Sequence, residues 1–194
     1  MCDEAGADGA ARGRQSTQAR LVADHFNIPA ISTGDLFRAN VSECTPLGVE
    51  AKRFMDAGEY VPDDVTNLMV RNRIGDPDAE QGFLLDGYPR TRAQAEELDR
   101  MIAALTGHGL DAAIALTLDE DEIVHRLLQR AQLEGRADDT EDVIRRRHQV
   151  YAEQTAPVID VYRDRGILVE VDGLGEADEV TRRILDALNV VPES

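Results

Sequence analysis

Gly82-Phe83-Leu84-Leu85-Asp86-Gly87-Tyr88-Pro89-Arg90-Thr91-Arg92-Ala93-Gln94 is the stretch on which the reading of this chain turns. An apolar run, Phe83 to Leu85, meets a carboxylate; a Gly-x-Pro turn follows, then an arginine and a helix start. That order is a buried strand delivering Asp86 and Arg90 to the carboxyl edge of a parallel sheet, where open α/β folds bind ligands. The Asp86 carboxylate suits a hydrated cation and the Arg90 guanidinium a phosphate. Plainer uses exist: Asp86 can cap the next turn, and Gly87-Tyr88-Pro89 can be a tight turn only. Arg90 and Gln94, however, stand four apart on one face of the following helix. A guanidinium and an amide so placed can hold a phosphate and a base edge.

Outward from this stretch, strands and helices alternate. Residues 1–15 are rich in Gly, Ala and Asp and follow neither a helical nor a strand period. Ser16 can cap a helix turning Ala19, Leu21, Val22 and Phe26 toward a core. Asn27 to Ile31 reads as a short strand. Helices are predicted over 34–43, 46–57 and 62–75, broken by Pro46, Gly58 and Pro62. After the strand 82–86 come a helix 91–106, a strand 112–118, a helix 120–130 and a glycine-containing loop 131–137. A long helix 139–165 has to accommodate Pro157; a strand 167–171 and a helix 177–189 complete the pattern. Strands spaced by helices specify an α/β protein with a doubly wound parallel sheet. The blocks 34–75 and 131–137 interrupt the alternation as natural lids, which close on substrates and exclude water.

A chain of 194 residues, 42% of them hydrophobic, fits one α/β domain with a sizeable core. The formal charge of −17 makes nucleic acid and anionic membrane surfaces poor partners. No apolar stretch approaches the roughly 20 residues of a membrane span, and no secretory signal is apparent. Cys2 and Cys44 are too few for a disulfide framework and have no metal-type spacing, and the cytoplasm is the expected default compartment. Lys52 is the only lysine, and Arg126, Arg130, Arg136, Arg145, Arg146 and Arg147 cluster in one stretch. A cationic patch on an acidic protein suggests an anionic small molecule.

Two further constellations carry chemistry. In Ile31-Ser32-Thr33-Gly34-Asp35-Leu36-Phe37-Arg38, Thr33 can cap the helix, and Arg38, one turn in, can reach an anion held at its start. In the arginine-rich stretch, Arg126 and Arg130 share a helix face. Arg145 and Arg146 fit a salt-bridged surface with Asp138, Asp139, Glu141 and Asp142. For Arg130, Arg136 and Arg147 the functional reading is preferred, because phosphoryl transfer needs positive charge around the migrating group.

These motifs, with Tyr151-x-x-x-Thr155-Ala156-Pro157, resemble the adenylate kinases from about residue 16 to residue 189. The resemblance implies a nucleoside monophosphate kinase fold of the P-loop kinase kind: one domain over 1–194, with an AMP-binding lobe inserted at 32–61 and a short lid at 129–135 that lacks zinc cysteines. It implies the reaction ATP + AMP = 2 ADP, magnesium with the ATP, and a monomer. Carried over residue by residue, Thr33, Arg38, Arg90 and Gln94 hold AMP with backbone of Glu59, Tyr60 and Val61, the turn Gly87-Tyr88-Pro89, and Arg136 and Arg147. Ser16, Thr17, Arg126, Arg130 and the backbone near Gly175 meet ATP, although Gly175 reads equally as a turn glycine. Arg90, Arg130 and Arg147 would act in catalysis, and Asp86 would hold the metal through water. The related pyrimidine nucleotide kinases usually carry alanine where Thr33 stands, which favours adenine. A kinase of another nucleoside monophosphate and a non-catalytic AMP binder are the alternatives.

The first strand and phosphate loop depart from the pattern. The family opens with an apolar strand running into Gly-Pro-Pro-Gly-Ala-Gly-Lys. Aligned back from Ser16-Thr17-Gln18-Ala19, that lysine falls on Gln15 and two of its glycines on Arg12 and Arg14. Arginine brings a bulky side chain where backbone must approach phosphate, and glutamine brings no charge. Losing one preorganised charge typically costs roughly 3–4 kcal/mol, about a thousandfold in rate. Asp3, Glu4 and Asp8 are equally unsuited to a strand buried on both faces. Codons exist for Leu-Met-Gly-Pro-Pro-Gly-Ala-Gly-Lys that, read one base back after a G, give Ala-Asp-Gly-Ala-Ala-Arg-Gly-Arg-Gln, the sequence of Ala7 to Gln15. A frameshift hypothesis follows.

Overall fold

A computed structural model describes residues 17–119, 122 and 140–189, without the side chains of Arg147 and His148. Helix α1 (Thr17–Phe26) leads into strand β1 (Ala30–Ser32); α2 (Thr33–Ser42), α3 (Pro46–Ala57) and α4 (Asp63–Ile74) follow. Strand β2 (Leu84–Asp86), α5 (Arg92–Thr106) and β3 (Ala113–Thr117) come next. After them lie α6 (Glu141–Val150), a π-helical turn (Tyr151–Thr155), α7 (Ala156–Asp164), β4 (Leu168–Asp172) and α8 (Ala177–Leu188). The expected helix 120–130 and loop 131–137 fall outside the described residues, apart from Glu122 in a helical turn.

The strands are parallel, as the alternation requires, but form two ladders among the described residues. One pairs Ala30–Ser32 of β1 with Leu84–Asp86 of β2; the other pairs Ala113–Thr117 of β3 with Leu168–Asp172 of β4. One shared core cluster joins the ladders: Val22, Val169, Val171, Val180 and Ile184 pack with Leu84 and Ala112. The strands at 30 and 84 begin later than the apolar runs that announce them, because Asn27 takes a positive φ of 56° and Gly82 one of 127°. Neither conformation continues a strand.

Helix faces follow the expected spacing with one correction. Ala19, Val22 and Ala23 are the buried residues of α1, whereas Phe26 is exposed at the helix end. Helix α5 buries Ala95, Leu98, Met101 and Ile102, and the last three pack with Ile31 and Tyr88. The lobe α2–α3–α4 has its own core of Phe37, Ala51, Val61 and Met69. There Gly48 lets two backbones meet: a Cβ on it would stand 2.0 Å from the Asn40 carbonyl oxygen. Thr45 fixes this crossing, accepting from the Gly48 N–H at 3.0 Å and lying 2.8 Å from Asn40 Oδ1.

The long helix expected over 139–165, with a kink or restart at Pro157, is divided. Pro157 has no N–H to return to the preceding turn, and the backbone widens there. The Ala156 N–H reaches back to the Tyr151 carbonyl, five residues away, and α7 restarts. Among the described residues, no helix is long and apolar enough to cross a membrane.

Candidate nucleotide site

The two motifs interlock at Gly87. Ser32, not Thr33, caps α2, accepting from the Asp35 N–H at 3.4 Å. Thr33, the first residue within the helix, has its hydroxyl turned to the neighbouring strand end, donating to the Gly87 carbonyl at 3.0 Å. Gly87 has φ 78°, a left-handed conformation natural to glycine, and a Cβ on it would lie 2.9 Å from both Arg90 Nη2 and Thr33 Oγ1. A guanidinium and a hydroxyl therefore converge on one glycine at the end of β2.

Arg90 precedes α5 instead of sharing its face with Gln94. Its N–H donates to Gln94 Oε1 at 2.7 Å, and Gln94 Nε2 donates to Asp63 Oδ1 at 2.7 Å. Thr91 caps α5 by accepting from the Gln94 N–H, and its hydroxyl donates to Asp63 Oδ2 at 2.8 Å. Both ends of the Gln94 amide are thus engaged inside the protein, which satisfies a buried polar group. Asp63, in the first turn of α4, organises this corner. Sequence reading missed it, since its partners lie 28 and 31 residues away.

Arg38 curls over its own helix start. Its guanidinium pairs with Asp35 and lies 3.2 Å from where a Cβ on Gly34 would be. Asp35 Oδ2 is buried without a hydrogen-bond partner among the described residues. An anion arriving at the start of α2 would compete with Asp35 for Arg38, aided by the helix dipole.

The return of the lobe, Glu59-Tyr60-Val61, reaches the same corner. The Tyr60 ring lies 5.0 Å from the Arg90 guanidinium carbon, a cation–π contact, and Val61 is buried. Glu59 accepts from Arg146 Nε at 2.8 Å and Nη2 at 2.5 Å. Arg146 therefore crosses to the lobe, and Arg145 pairs locally, with Glu141 at 2.9 Å. Tyr88 is buried, its hydroxyl donating to Asn67 Oδ1 at 2.7 Å, and burial pushes its phenol well above the ordinary range. The Tyr88–Pro89 bond is cis.

Toward the other ladder the picture is sparser. Thr17 is exposed at the start of α1. Gly175, at φ 120°, is fixed as a turn glycine: a Cβ there would meet Glu179 Oε2 at 2.8 Å. Arg183 braces that turn, donating to the carbonyls of Asp172 at 2.9 Å and Leu174 at 2.7 Å. Ser16, Arg126, Arg130, Arg136 and the segment 129–135 lie outside the described residues; Arg147 is on α6, its side chain outside them. Asp86 ends β2, half-buried. Among the described residues no group of three or more His, Cys, Asp or Glu is gathered to cage a metal. A single carboxylate at a sheet edge suits magnesium, which keeps several waters.

Parallel strands ending in a corner of arginine, hydroxyl and amide are compatible with a nucleoside monophosphate kinase fold. The adenylate kinase family model matches residues 5–167. A protein of Nocardioides sp. named adenylate kinase is 70% identical over 189 residues, 97% of this chain and 97% of that protein. Adenylate kinases of Kocuria rhizophila and Micrococcus luteus are 60% and 54% identical, over 94% and 90% of this chain and 95% and 84% of theirs. The chain belongs to the adenylate kinase family.

Proposed function

We propose that this chain is built to transfer a phosphoryl group reversibly between ATP and AMP, giving two ADP, as a cytoplasmic monomer. The observation that carries the reading is the convergence of the Arg90 guanidinium and the Thr33 hydroxyl on Gly87, with Tyr60 behind the guanidinium. Residues 32–61 act as the AMP lobe and 129–135 as the short lid. Arg38 and Arg90 hold the AMP phosphate, with Arg136 and Arg147 added on closure. Thr33 and Gln94 face the base, Gln94 exchanging Asp63 for the ligand. Backbone of Glu59, Tyr60 and Val61 and the turn Gly87-Tyr88-Pro89 line the same cleft.

On the donor side Ser16, Thr17, Arg126, Arg130 and the turn at Gly175 meet ATP. Arg90, Arg130 and Arg147 neutralise the migrating group, so catalysis is positioning and charge without a covalent intermediate. Magnesium, held by Asp86 through water, would neutralise phosphate charge when bound. The substitution of Gln15, Arg12 and Arg14 for the phosphate-loop residues limits turnover of the chain as written. That departure gives the non-catalytic AMP binder its standing as a second reading.

Calorimetry with AMP, CMP, UMP and GMP, beside coupled ATP/AMP turnover, tests these readings. AMP is expected to bind best, and Arg90→Ala to weaken it on the order of a hundredfold, the worth of a charged hydrogen bond to phosphate. Binding without turnover would leave the non-catalytic reading; preference for another monophosphate, or Arg90→Ala without effect, would overturn the proposal. Reading the gene around codon 15 tests the frameshift: no phosphate loop in another frame means none occurred.

A further inference from the structure

Resting on the assignment of Arg90 to the AMP phosphate, we propose that Thr155 and Tyr60 are positioning residues that hold Arg90 from both its backbone and its side-chain ends. Thr155 Oγ1 donates to the Arg90 carbonyl at 2.9 Å and lies 2.7 Å from Tyr60 Oη. A threonine hydroxyl has one hydrogen. Since that hydrogen goes to Arg90, the Tyr60 hydroxyl is the donor of the second bond. The order is directional: Tyr60 Oη–H to Thr155 Oγ1–H to the Arg90 carbonyl. Tyr60 then meets the same arginine again, its ring under the guanidinium.

The three residues come from three parts of the fold. Tyr60 is on the return of the α2–α3 lobe, Arg90 follows β2, and Thr155 ends the π-helical turn. That turn places Thr155. With one extra residue in the loop of backbone from Tyr151 to Ala156, the side chain at 155 is rotated away from where an unbroken helix would carry it. The widened turn thereby acquires a use beyond accommodating Pro157. An arginine held at its backbone carbonyl and beneath its guanidinium plane meets phosphate with less ordering left to do, which strengthens binding. The bonds also tie the lobe to the helix that follows the short lid, so either element moving would be felt at Arg90.

The test separates positioning of a cation from mere structural support by measuring the ratio of AMP to adenosine affinity in the full chain by calorimetry. Only the phosphate should meet the Arg90 guanidinium. Thr155→Val, which removes both bonds, is expected to lower that ratio about tenfold. Thr155→Ser, which keeps them, should restore it to within about twofold, and Tyr60→Phe, which keeps the ring, should lower it about threefold. A parental ratio in Thr155→Val while Arg90→Ala abolishes the preference for AMP would overturn this inference and leave the functional reading standing. Absence of any AMP preference in the parent, or its survival in Arg90→Ala, would overturn both. If Thr155→Val does not fold, Tyr60→Phe decides: an unchanged ratio refutes the proposal.

Discussion

The β1–β2 ladder and the β3–β4 ladder are built from the same parallel pairing, yet their carboxyl ends differ in kind. The first is three residues long on each strand, and its end gathers Thr33, Gly87, Arg90, Gln94, Asp63 and Tyr60 into a connected polar corner. The second is five residues long on each strand, and the shallow cavity at its end is lined by Thr117, Leu118, Asp119, Asp172 and Leu174. Among the described residues, that lining carries two carboxylates, Asp119 and Asp172. Ile114 and Leu116 of β3 are 36% and 40% exposed, although apolar residues of a parallel strand are ordinarily covered on both faces. The two ends thus differ in which side chains bridge the loops: Thr33, Arg90, Gln94 and Asp63 at the first, and Arg183, bound to the Asp172 and Leu174 carbonyls, at the second.

The most severe way to break this contrast is to supply what the donor end lacks. Replacing residues 1–15 by an apolar strand ending in Gly-Pro-Pro-Gly-Ala-Gly-Lys is expected to raise coupled ATP/AMP turnover about a thousandfold or more, the worth of a preorganised lysine with its glycine cradle. AMP affinity should change little, because residues 1–15 are not among those proposed to hold AMP. Turnover that does not move would mean that Gln15 does not stand at the lysine's place.

Next in size is an attack on the lobe that carries the acceptor corner. Gly48→Ala puts a methyl group 2.0 Å from the Asn40 carbonyl oxygen, which is backbone and cannot step aside. The two helices must part, and Thr45 loses its bonds to Gly48 and Asn40 with them. A loss of about 3 kcal/mol is expected from overpacking at such a contact. Denaturant unfolding reads it, and AMP affinity should fall with the lobe. A variant as stable as the parent would show that the crossing is loose.

These effects are uneven in how far sequence announces them. Helix α3 is plain from Pro46 and Gly58 at its ends, and the strand-to-arginine order of residues 82–94 places Asp86 and Arg90 at a sheet edge without any tertiary knowledge. Local spacing misled where the partner was distant. Arg146 has four acidic residues just upstream, yet it chooses Glu59, 87 residues away. Gln94 has a partner that spacing does not announce, Asp63, 31 residues away. The π-helical turn is hidden for another reason: a one-residue widening leaves no mark on hydrophobic period, and Pro157 permits a restart as readily as a kink.

Two buried tyrosines give the finest comparison of the regions. Tyr88, at the acceptor corner, donates to Asn67 Oδ1, with the Gln94 carbonyl 3.2 Å away as a second acceptor. Tyr162, on α7 and packed with Ala95 and Val158 near the β3–β4 ladder, has a buried hydroxyl that meets no partner among the described residues. Burial, with Asp99 nearby, pushes its phenol up to about 12. Tyr88→Phe should cost about 1 kcal/mol by orphaning an acceptor, whereas Tyr162→Phe should be neutral or stabilise by up to about 1 kcal/mol, since an unpaired hydroxyl leaves the interior. A phenol with a raised folded pKa contributes its stability in full below 10 and loses it as pH climbs through the folded value. Thermal melts between pH 9 and about pH 12 should therefore fall steeply for the parent and less steeply for Tyr162→Phe. A destabilised Tyr162→Phe at pH 7 would mean that its hydroxyl is satisfied after all, and the asymmetry between the two ends would be smaller than the polar network implies.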